Sequence, residues 1–386
     1  MKSKEIPGQH ELKAVLTKMV DEGRLPHALL IQEQVGGTGL AMARFLTQYM
    51  LCSNRAEHDA CGTCSSCVKM QSATHPDVHF SVPVNSNDRV KASDNIYTDS
   101  FISELREFMI QKPFSNLRGW YDHINLGAKV GLINVKEGNQ IQKKLALRAF
   151  EGGYRVFIIW NADLMNDDFA NKILKNLEEP SPKTVFILVS SAPSKLLPTI
   201  ISRVQRFQEE HLSEEELADF LVAQANIDRA KAVDIAFRTE GNVFEAMKEA
   251  NNEINPWLTE FKLWMRMAWG RDLVGMFDWS MKMAGNNRDT QREFVEGTLK
   301  VIDRCFRLGW MDIHIPMEGE EAKFYKDFSP YINTANTEGF LELLQKAAFH
   351  ISRNVNGKLV WYDASIEAVR LVHAGKKAKA ETEAQA

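Results

Sequence analysis

Four of the five cysteines lie close together in the sequence, at a spacing that suits a metal ion: Cys52, Cys61, Cys64 and Cys67. The two short C-x2-C steps can form a tight knuckle, and Cys52 can close the fourth side of a tetrahedron around Zn2+. Because four thiolates leave no open position for water, the spacing predicts a structural zinc site. An iron–sulfur cluster is the alternative, which no other feature of the sequence favours. Such clustering suits metal binding in a reducing compartment better than disulfides.

A second group of residues lies where a phosphate-binding loop belongs, in the segment 34–41 between a predicted strand and a predicted helix. The required pattern is G-x-x-x-x-G-K-S/T, in which backbone N–H groups surround the phosphates, Lys supplies positive charge and the hydroxyl holds magnesium. Three glycines that shape the turn are present: Gly36, Gly37 and Gly39. However, Leu40 stands where Lys is needed and Ala41 where the hydroxyl is needed. The segment therefore predicts no tightly bound ATP.

The segment 155–207 shows most clearly which elements must position these residues. Its apolar run 156–160 is typical of a strand covered on both faces in a parallel sheet. Asn166 can cap a helix that ends at Pro180, and the apolar run 184–190 predicts a second strand. Strand, helix and strand at this spacing indicate a right-handed crossover unit.

Several motifs in and around this segment belong together: Ala170-Asn171-x-x-Leu174-Lys175, Leu177-Glu178-Glu179-Pro180, Ser202-Arg203, Gly8-Gln9, Pro26-His27-Ala28 and His75-Pro76-Asp77. In this order they resemble the clamp-loader branch of the AAA+ ATPases, and are similar there to the bacterial gamma/tau and delta-prime subunits of DNA polymerase III. The cysteine group resembles the zinc knuckle of the same subunits. The resemblance implies an α/β AAA+ module, with a parallel sheet, flanking helices and a zinc knuckle, followed by a small helical lid domain and an all-α collar domain.

At 386 residues the chain is long enough for two or three domains. The resemblance divides it as follows: an AAA+ domain at 1–207 with a zinc module at 52–67 and an insert at about 81–130, a lid at 208–254, a collar for oligomerisation at 255–375, and a tail at 376–386. The tail is low in complexity and is predicted to be disordered.

The insert at about 81–130 departs from the family pattern. Its Arg118 and Trp120 are expected to form a local small core, with contact to a partner or DNA as the alternative.

The resemblance also implies where other nucleotide contacts should lie. At the end of the central strand an ATPase carries Asp-Glu for magnesium and water, but this sequence has Asn161-Ala162. Asp163 is one residue further on, and strand alternation predicts that it points to the other face. Active members carry an Arg where Phe244 stands. Losses at the loop, the acidic pair and the lid together predict a chain that is not an enzyme on its own.

Arg203 is the opposite case, because it remains in the sequence. In clamp loaders the Arg of a Ser-Arg-Cys motif reaches the nucleotide of a neighbouring subunit, where its guanidinium offsets charge on the transferred phosphoryl group. Here the motif is Ser202-Arg203-Val204, so the Cys is lost and the Arg is present. The resemblance implies an arginine finger that acts in trans. A surface arginine that interacts with a helix dipole is the alternative.

These expectations describe a delta-prime-like, non-ATPase subunit that helps to load the sliding clamp onto primed DNA during replication. Its partners would be gamma/tau-type ATPase subunits and a delta-type subunit, with the sliding clamp and primer-template DNA reached through the assembly. One alternative is a catalytically active gamma/tau-type ATPase, which Leu40, Ala41, Asn161, Ala162 and Phe244 disfavour. Another is a zinc-knuckle module that binds nucleic acid, which the lack of Lys and Arg among aromatic residues near the cysteines disfavours.

The overall charge gives no sign of a nucleic-acid-binding protein. With 47 Lys and Arg against 51 Asp and Glu, the formal net charge is −4. Any nucleic-acid contact is therefore expected to use a local patch or a partner.

The first residues lack the apolar stretch of a secretory signal, and no apolar run is long enough for a membrane span. The sequence predicts a cytoplasmic protein.

Overall fold

The computed structural model of the chain describes residues 1–127, 129–151, 153–251, 256–286, 288–310, 319–353 and 355–385. The chain forms two compact units, Met1–Asn251 and Asn252–Ala386. The predicted lid and the AAA+ domain therefore belong to one unit. The predicted boundary between lid and collar, at residues 254 and 255, lies outside the described residues, as does Ala386 of the predicted tail.

The first unit is built around a five-stranded sheet. Its strands are β1 (Ala28–Gln32), β2 (Val78–Ser81), β3 (Arg155–Trp160), β4 (Thr184–Ser190) and β5 (Gln205–Gln208). They lie in the order β2, β3, β4, β1, β5, and every neighbouring pair is parallel. β3 and β4 are buried along their whole length, as their apolar runs predict for strands covered on both faces.

Helices pack on both faces of this sheet, because alternate strand residues face two separate cores. The helices of the module are α1 (His10–Asp21), α2 (Gly39–Leu51), α3 (Ser65–Gln71), α4 (Ile102–Gln111), α5 (Leu117–His123), α6 (Val135–Ala146), α7 (Asp167–Glu178) and α8 (Pro198–Ile201). α1 and α2 share one core with Ile158 and Ile187, and α6, α7 and α8 share the other with Phe157 and Phe186. The predicted α/β module, with a parallel sheet and flanking helices, is confirmed.

The region predicted to be the lid, and called the lid below, contains α9 (Glu214–Ala225), α10 (Arg229–Thr239) and α11 (Val243–Ala250). Its first helix begins with a capping box. Ser213 Oγ accepts from the Glu216 N–H at 3.2 Å, and Glu216 Oε2 accepts from the Ser213 N–H at 2.9 Å. These bonds satisfy N–H groups that have no partner within a helix.

The predicted cap of α7 is also present, since Asn166 Oδ1 accepts from the Phe169 N–H at 2.9 Å.

The insert contains α4 and α5, and its aromatic residues extend the core of the sheet. Trp120 is fully buried, and its Nε1 donates to the Pro83 carbonyl at 2.8 Å. The Phe108 ring lies 5.3 Å from that of Trp120 and 5.8 Å from that of Trp160, the last residue of β3. The expected small core is therefore not local, because these rings belong to the same core as the sheet and the lid.

The insert also contacts the lid directly. Phe114, which follows α4, meets Phe220 of α9 edge to face, with ring centroids 5.0 Å apart. Gly119 of α5 lies against Phe244 of α11, close enough that an added Cβ would be 3.2 Å from the Phe244 ring. The insert thus holds the lid against the rest of the first unit.

The second unit is helical in all of its described elements: α12 (Pro256–Gly270), α13 (Leu273–Gly285), α14 (Arg288–Trp310), α15 (Gly319–Phe328), α16 (Thr337–Ser352) and α17 (Gly357–Gln385). Its core is rich in tryptophan. The Trp264 and Trp279 rings are stacked at 5.4 Å, and both Phe294 and Trp361 pack against Trp279. This agrees with the predicted all-α character of the collar.

The last helix, α17, continues through 376–385, where the sequence predicted a disordered tail. Ala, Lys and Glu are strong helix formers, so this composition extends an existing helix readily. Lys379 also lies over the Tyr331 ring, 4.4 Å from its centroid. The length and apolar character needed to cross a membrane are not met by α17 or by any other helix in the described part of the chain.

If the insert holds the lid through aromatic packing, Phe114→Ala should lower the free energy of unfolding of the first unit by about 3 kcal/mol, the usual cost of removing a buried Phe. Phe150→Ala is the matched control, because Phe150 is 82% exposed. Its effect should stay within about 0.5 kcal/mol. Equilibrium urea unfolding measures both changes, and equal effects would show that the contact with Phe220 contributes nothing.

Candidate functional site

The loop at 33–38 connects β1 to α2 at the edge of the sheet where all five parallel strands end. Its conformation depends on glycine and on contact with the lid. Gly36 has φ of +70°, and a Cβ there would clash with the Asn242 side chain. The Gly36 carbonyl accepts from the Phe244 N–H at 3.3 Å. The beginning of α11 therefore lies directly against the loop.

The N–H groups of the loop are directed at a carboxylate from the same chain. Glu209, immediately after β5, is 2% exposed. Its Oε2 accepts from the N–H of Gln34 at 3.3 Å and from the N–H of Thr38 at 3.2 Å. Its Oε1 accepts from the Thr38 hydroxyl at 2.6 Å. Burial raises the pKa of Glu209, and the bonds from Thr38 and Gln34 oppose that change.

Two further carboxylates lie at the same edge. Glu33 follows β1 and packs against Gly39 at the start of α2. Burial and, to a smaller extent, the negative charges of Glu209 and Asp163 raise the pKa of Glu33 to about 8, although the hydrogen bond from the Gly39 N–H opposes this change. Asp163 Oδ1 accepts from the hydroxyl of Ser190 at 2.6 Å. The ionisable side chains at this edge of the loop are thus acidic rather than basic.

The strand alternation from which the direction of Asp163 was predicted does not extend to that residue. β3 ends at Trp160, and Asn161 adopts a left-handed conformation with φ of +53°. A short 3-10 helix at Ala162–Leu164 follows. Strand alternation therefore no longer applies, and the turn brings Asp163 to the end of β4, within electrostatic reach of Glu33.

The residues that replace the expected nucleotide contacts lie in apolar surroundings. Leu40 is 4% and Ala41 1% exposed, and both pack in the core beneath the sheet edge. Ala162 is fully buried in the other core. Phe244 lies against Gly119 of the insert. None of these side chains carries a group that could hold a phosphate or a magnesium ion.

The four clustered cysteines come together as the sequence predicts. Cys52 ends α2, Cys64 caps α3, and Cys67 lies within that helix. All four Sγ atoms lie within 4.8 Å of one another, and three of the separations are 3.5, 3.9 and 4.0 Å. Zn–S distances of about 2.3 Å in a tetrahedron place the sulfurs about 3.8 Å apart. The donor set therefore fits a zinc ion.

Backbone N–H groups around these sulfurs favour thiolates. Cys61 Sγ accepts from the N–H groups of Cys64 at 3.3 Å and Thr63 at 3.5 Å, and Cys52 Sγ accepts from the Cys61 N–H at 3.3 Å. The N–H groups of Thr63 and Cys64 lower the pKa of Cys61 to about 6. Because a thiolate is the form that binds metal, these N–H groups favour metal binding at Cys61, whereas burial raises the pKa of Cys52 and Cys67.

Arg203 lies on the surface just after α8, with 31% of its side chain exposed. Its Nε donates to Glu178 Oε1 at 2.6 Å, and its Nη1 donates to the Thr199 carbonyl at 2.8 Å. The second bond is the helix-end contact that the sequence left as an alternative role. The guanidinium is nevertheless not buried, and it lies outside the group of carboxylates at the loop.

Sequence reasoning missed Glu33 and Glu209, although one signal could have found them. Gln32 and Gln208 are partners in the register of β1 and β5, so the residues that follow them emerge side by side. Each acidic residue directly follows a strand in the sequence. Only the strand order, which places β5 next to β1, shows that both meet the loop.

Comparison with known proteins identifies relatives of this arrangement. The family model described as DNA polymerase III, delta subunit, matches residues 8–213, more than half of the chain. DNA polymerase III subunit delta' of Escherichia coli strain K12 is 30% identical over 181 residues, 47% of this chain and 41% of that protein. Subunit delta' of Bacillus subtilis strain 168 is 27% identical over 245 residues, 64% of this chain and 60% of that protein. The match thus spans about half the length of these relatives.

A gamma/tau subunit is also similar. That of Mycobacterium bovis is 28% identical over 203 residues, 53% of this chain and 28% of the relative. The relatives therefore include both kinds of subunit that the motifs resemble.

The cysteine cluster should carry one zinc ion per chain when the protein is purified without chelator. Cys61→Ser should lose most of the metal, because three thiolates bind zinc more weakly than four. Cys305→Ser is the control, since Cys305 is buried in the core of the second unit. Elemental analysis for zinc and iron decides the matter: zinc well below one per chain contradicts the site, and iron in its place indicates a cluster.

The raised pKa of Glu33 predicts a pH-dependent stability. Between its ordinary pKa of 4.5 and about 8, the folded chain keeps a proton that the unfolded chain releases, so stability falls as pH rises. Glu33→Gln removes this loss and should be more stable than the original by roughly 1–4 kcal/mol at pH 8, with no gain below about pH 4.5.

Urea unfolding across this pH range measures the effect of Glu33→Gln. Glu107→Gln is the control, because Glu107 is an exposed glutamate on α4. The interpretation fails if Glu33→Gln and the original chain lose stability in parallel as the pH rises.

Proposed function

The chain belongs to the family described as DNA polymerase III, delta subunit, and we propose that it acts as a delta-prime-like clamp-loader subunit that does not hydrolyse ATP itself. In this role it helps to load a sliding clamp onto primed DNA and presents Arg203 to the ATPase subunit beside it. Its neighbours are gamma/tau-type ATPase subunits and a delta-type subunit, and it reaches clamp and DNA through the assembly.

The observation that carries the proposal is the contrast between Arg203 and the loop after β1. The cation that a phosphate requires is absent from the loop, where carboxylates of Glu33 and Glu209 lie instead. A cation is retained at Arg203, on the surface. This distribution supports a subunit that assists chemistry at a neighbour rather than in its own nucleotide site.

The contacts of Arg203 are compatible with release to a neighbour. Its ion pair with Glu178 joins two side chains that are 31% and 46% exposed. Exposed ion pairs contribute about 0–1 kcal/mol, because water screens them. Glu178 can therefore hold the guanidinium in a defined place while a phosphate from another subunit competes for it. A charge-assisted bidentate contact to phosphate is stronger than this exposed pair.

The second unit supports the role of a collar that contacts other subunits. Three apolar residues in the first turns of α13 are exposed: Leu273 at 50%, Val274 at 75% and Phe277 at 47%. Neighbouring apolar side chains on a surface often mark a protein interface. The metal site fits the same picture, since a closed set of four cysteines stabilises the fold and leaves no position for substrate.

The decisive experiment reconstitutes the ATPase assembly with an altered Arg203. Arg203→Ala should reduce turnover at the site that faces this subunit by about a thousandfold, the lower range for loss of an arginine finger. Arg203→Lys should recover little, because an ammonium cannot make the bidentate contact. Steady-state ATP hydrolysis and single-turnover rates measure the effect.

Arg206→Ala is the matched control, because Arg206 is an exposed arginine on the neighbouring strand β5. It should leave turnover unchanged. Unchanged turnover with Arg203→Ala would remove the finger from the proposal. ATP hydrolysis by the purified chain alone, at a rate typical of ATPases, would contradict the non-ATPase role itself.

A further inference from the structure

The Glu209 carboxylate occupies the part of the loop in which a phosphate would bind. Its two oxygens accept from the Gln34 N–H, the Thr38 N–H and the Thr38 hydroxyl, at 3.3, 3.2 and 2.6 Å. Backbone N–H groups of a glycine-rich loop before a helix are the donors on which phosphate binding relies. We infer that Glu209 is a built-in anion that takes these donors and excludes phosphate-bearing ligands from the loop.

The pairing of β5 with β1 places the Glu209 carboxylate at the loop. Glu209 directly follows β5, and its own N–H donates to the Gln32 carbonyl at 3.0 Å, which continues the pairing of β5 with β1. The space around it is closed, since a Cβ on Gly37 would lie only 2.5 Å from Glu209 Oε2. The position of Glu209 is therefore as well defined as the strands themselves.

The charges around the loop act in the same direction. The segment 32–41 contains no Lys or Arg. Glu33 lies against Gly39, and both Glu209 and Asp163 lie within electrostatic reach of Glu33. An entering phosphate would meet the carboxylates of Glu209 and Asp163 in a poorly solvated place, where repulsion between like charges is strong. The exclusion of phosphate from the loop thus depends both on N–H donors that Glu209 already occupies and on negative charge.

The lid closes the loop from the remaining side. The Asn242 side chain lies against Gly36, and Asn242 Oδ1 caps α11 by accepting from the Glu245 N–H at 3.0 Å. The Phe244 N–H donates to the Gly36 carbonyl at 3.3 Å. Because the loop is held from both sides, its conformation does not require a nucleotide. This inference deepens the proposed function, on which it rests, by assigning the exclusion to one residue.

The test replaces Glu209 in the full chain and follows the loop N–H groups directly. In Glu209→Ala, hydrogen exchange at Gln34 and Thr38 should be at least about tenfold faster than in the original chain, because their acceptor is gone. Inorganic pyrophosphate is the probe ligand. At about 10 mM it should slow this exchange again and raise the melting temperature of Glu209→Ala by about 2 °C or more.

Glu210→Ala is the matched control, because it removes the same charge from the exposed adjacent residue. It and the original chain should show slow exchange and no response to pyrophosphate. Equal exchange in Glu209→Ala and the original chain would overturn the inference, as would Glu209→Ala that exchanges quickly but does not respond to pyrophosphate.

Glu209→Gln carries the test if the alanine variant does not fold, since it keeps the size of the side chain. A neutral amide oxygen accepts more weakly than a carboxylate. Exchange at Gln34 and Thr38 should then be about threefold faster or more, and an unchanged rate at both would overturn the inference. Failure here is distinct from failure of the proposed function, because these experiments use the chain alone and do not involve Arg203.

Discussion

The parallel pairing of β1 with β4 and β5 is the constraint on which the site depends. In a parallel sheet all strands end at the same edge, so the segments that follow them must meet there. Glu33 donates its N–H to the Ser190 carbonyl, and Glu209 donates its N–H to the Gln32 carbonyl, each at 3.0 Å. These two bonds extend the sheet by one residue. They bring two carboxylates to the N-terminus of α2.

Those carboxylates and a nucleotide phosphate would bind to the same backbone N–H donors at the N-terminus of α2. A buried anion is costly unless hydrogen-bond donors compensate it, and a helix N-terminus offers such donors together with a favourable dipole. In this chain, Glu209 and Glu33 use the donors of Gln34, Thr38 and Gly39. Because one set of N–H groups cannot serve two anions at once, stability of the empty loop and affinity for phosphate oppose each other.

The insert and the cysteine cluster stabilise the frame around this edge. Phe114 packs on Phe220 of the lid, and Gly119 packs on Phe244, so the lid is held by apolar contacts that need no ligand. The cysteine cluster joins the end of α2 to α3. α2 is thus anchored at both of its ends, by the loop carboxylates and by the four sulfurs. In contrast, Arg203 remains exposed after a helix of one turn.

The sequence by itself determined the local parts of this protein. Apolar runs identified β3 and β4, Asn166 identified a helix start, and the cysteine spacing identified the cluster, because each signal lies within a few neighbouring residues. Only the tertiary structure decided which strand ends meet, and hence that Glu209 reaches Thr38 across 171 residues of sequence. It also decided where Asp163 lies, since a left-handed Asn161 interrupts strand alternation and the turn brings Asp163 to Ser190 at the end of β4. These outcomes depend on strand order and packing between distant segments, which local patterns do not specify.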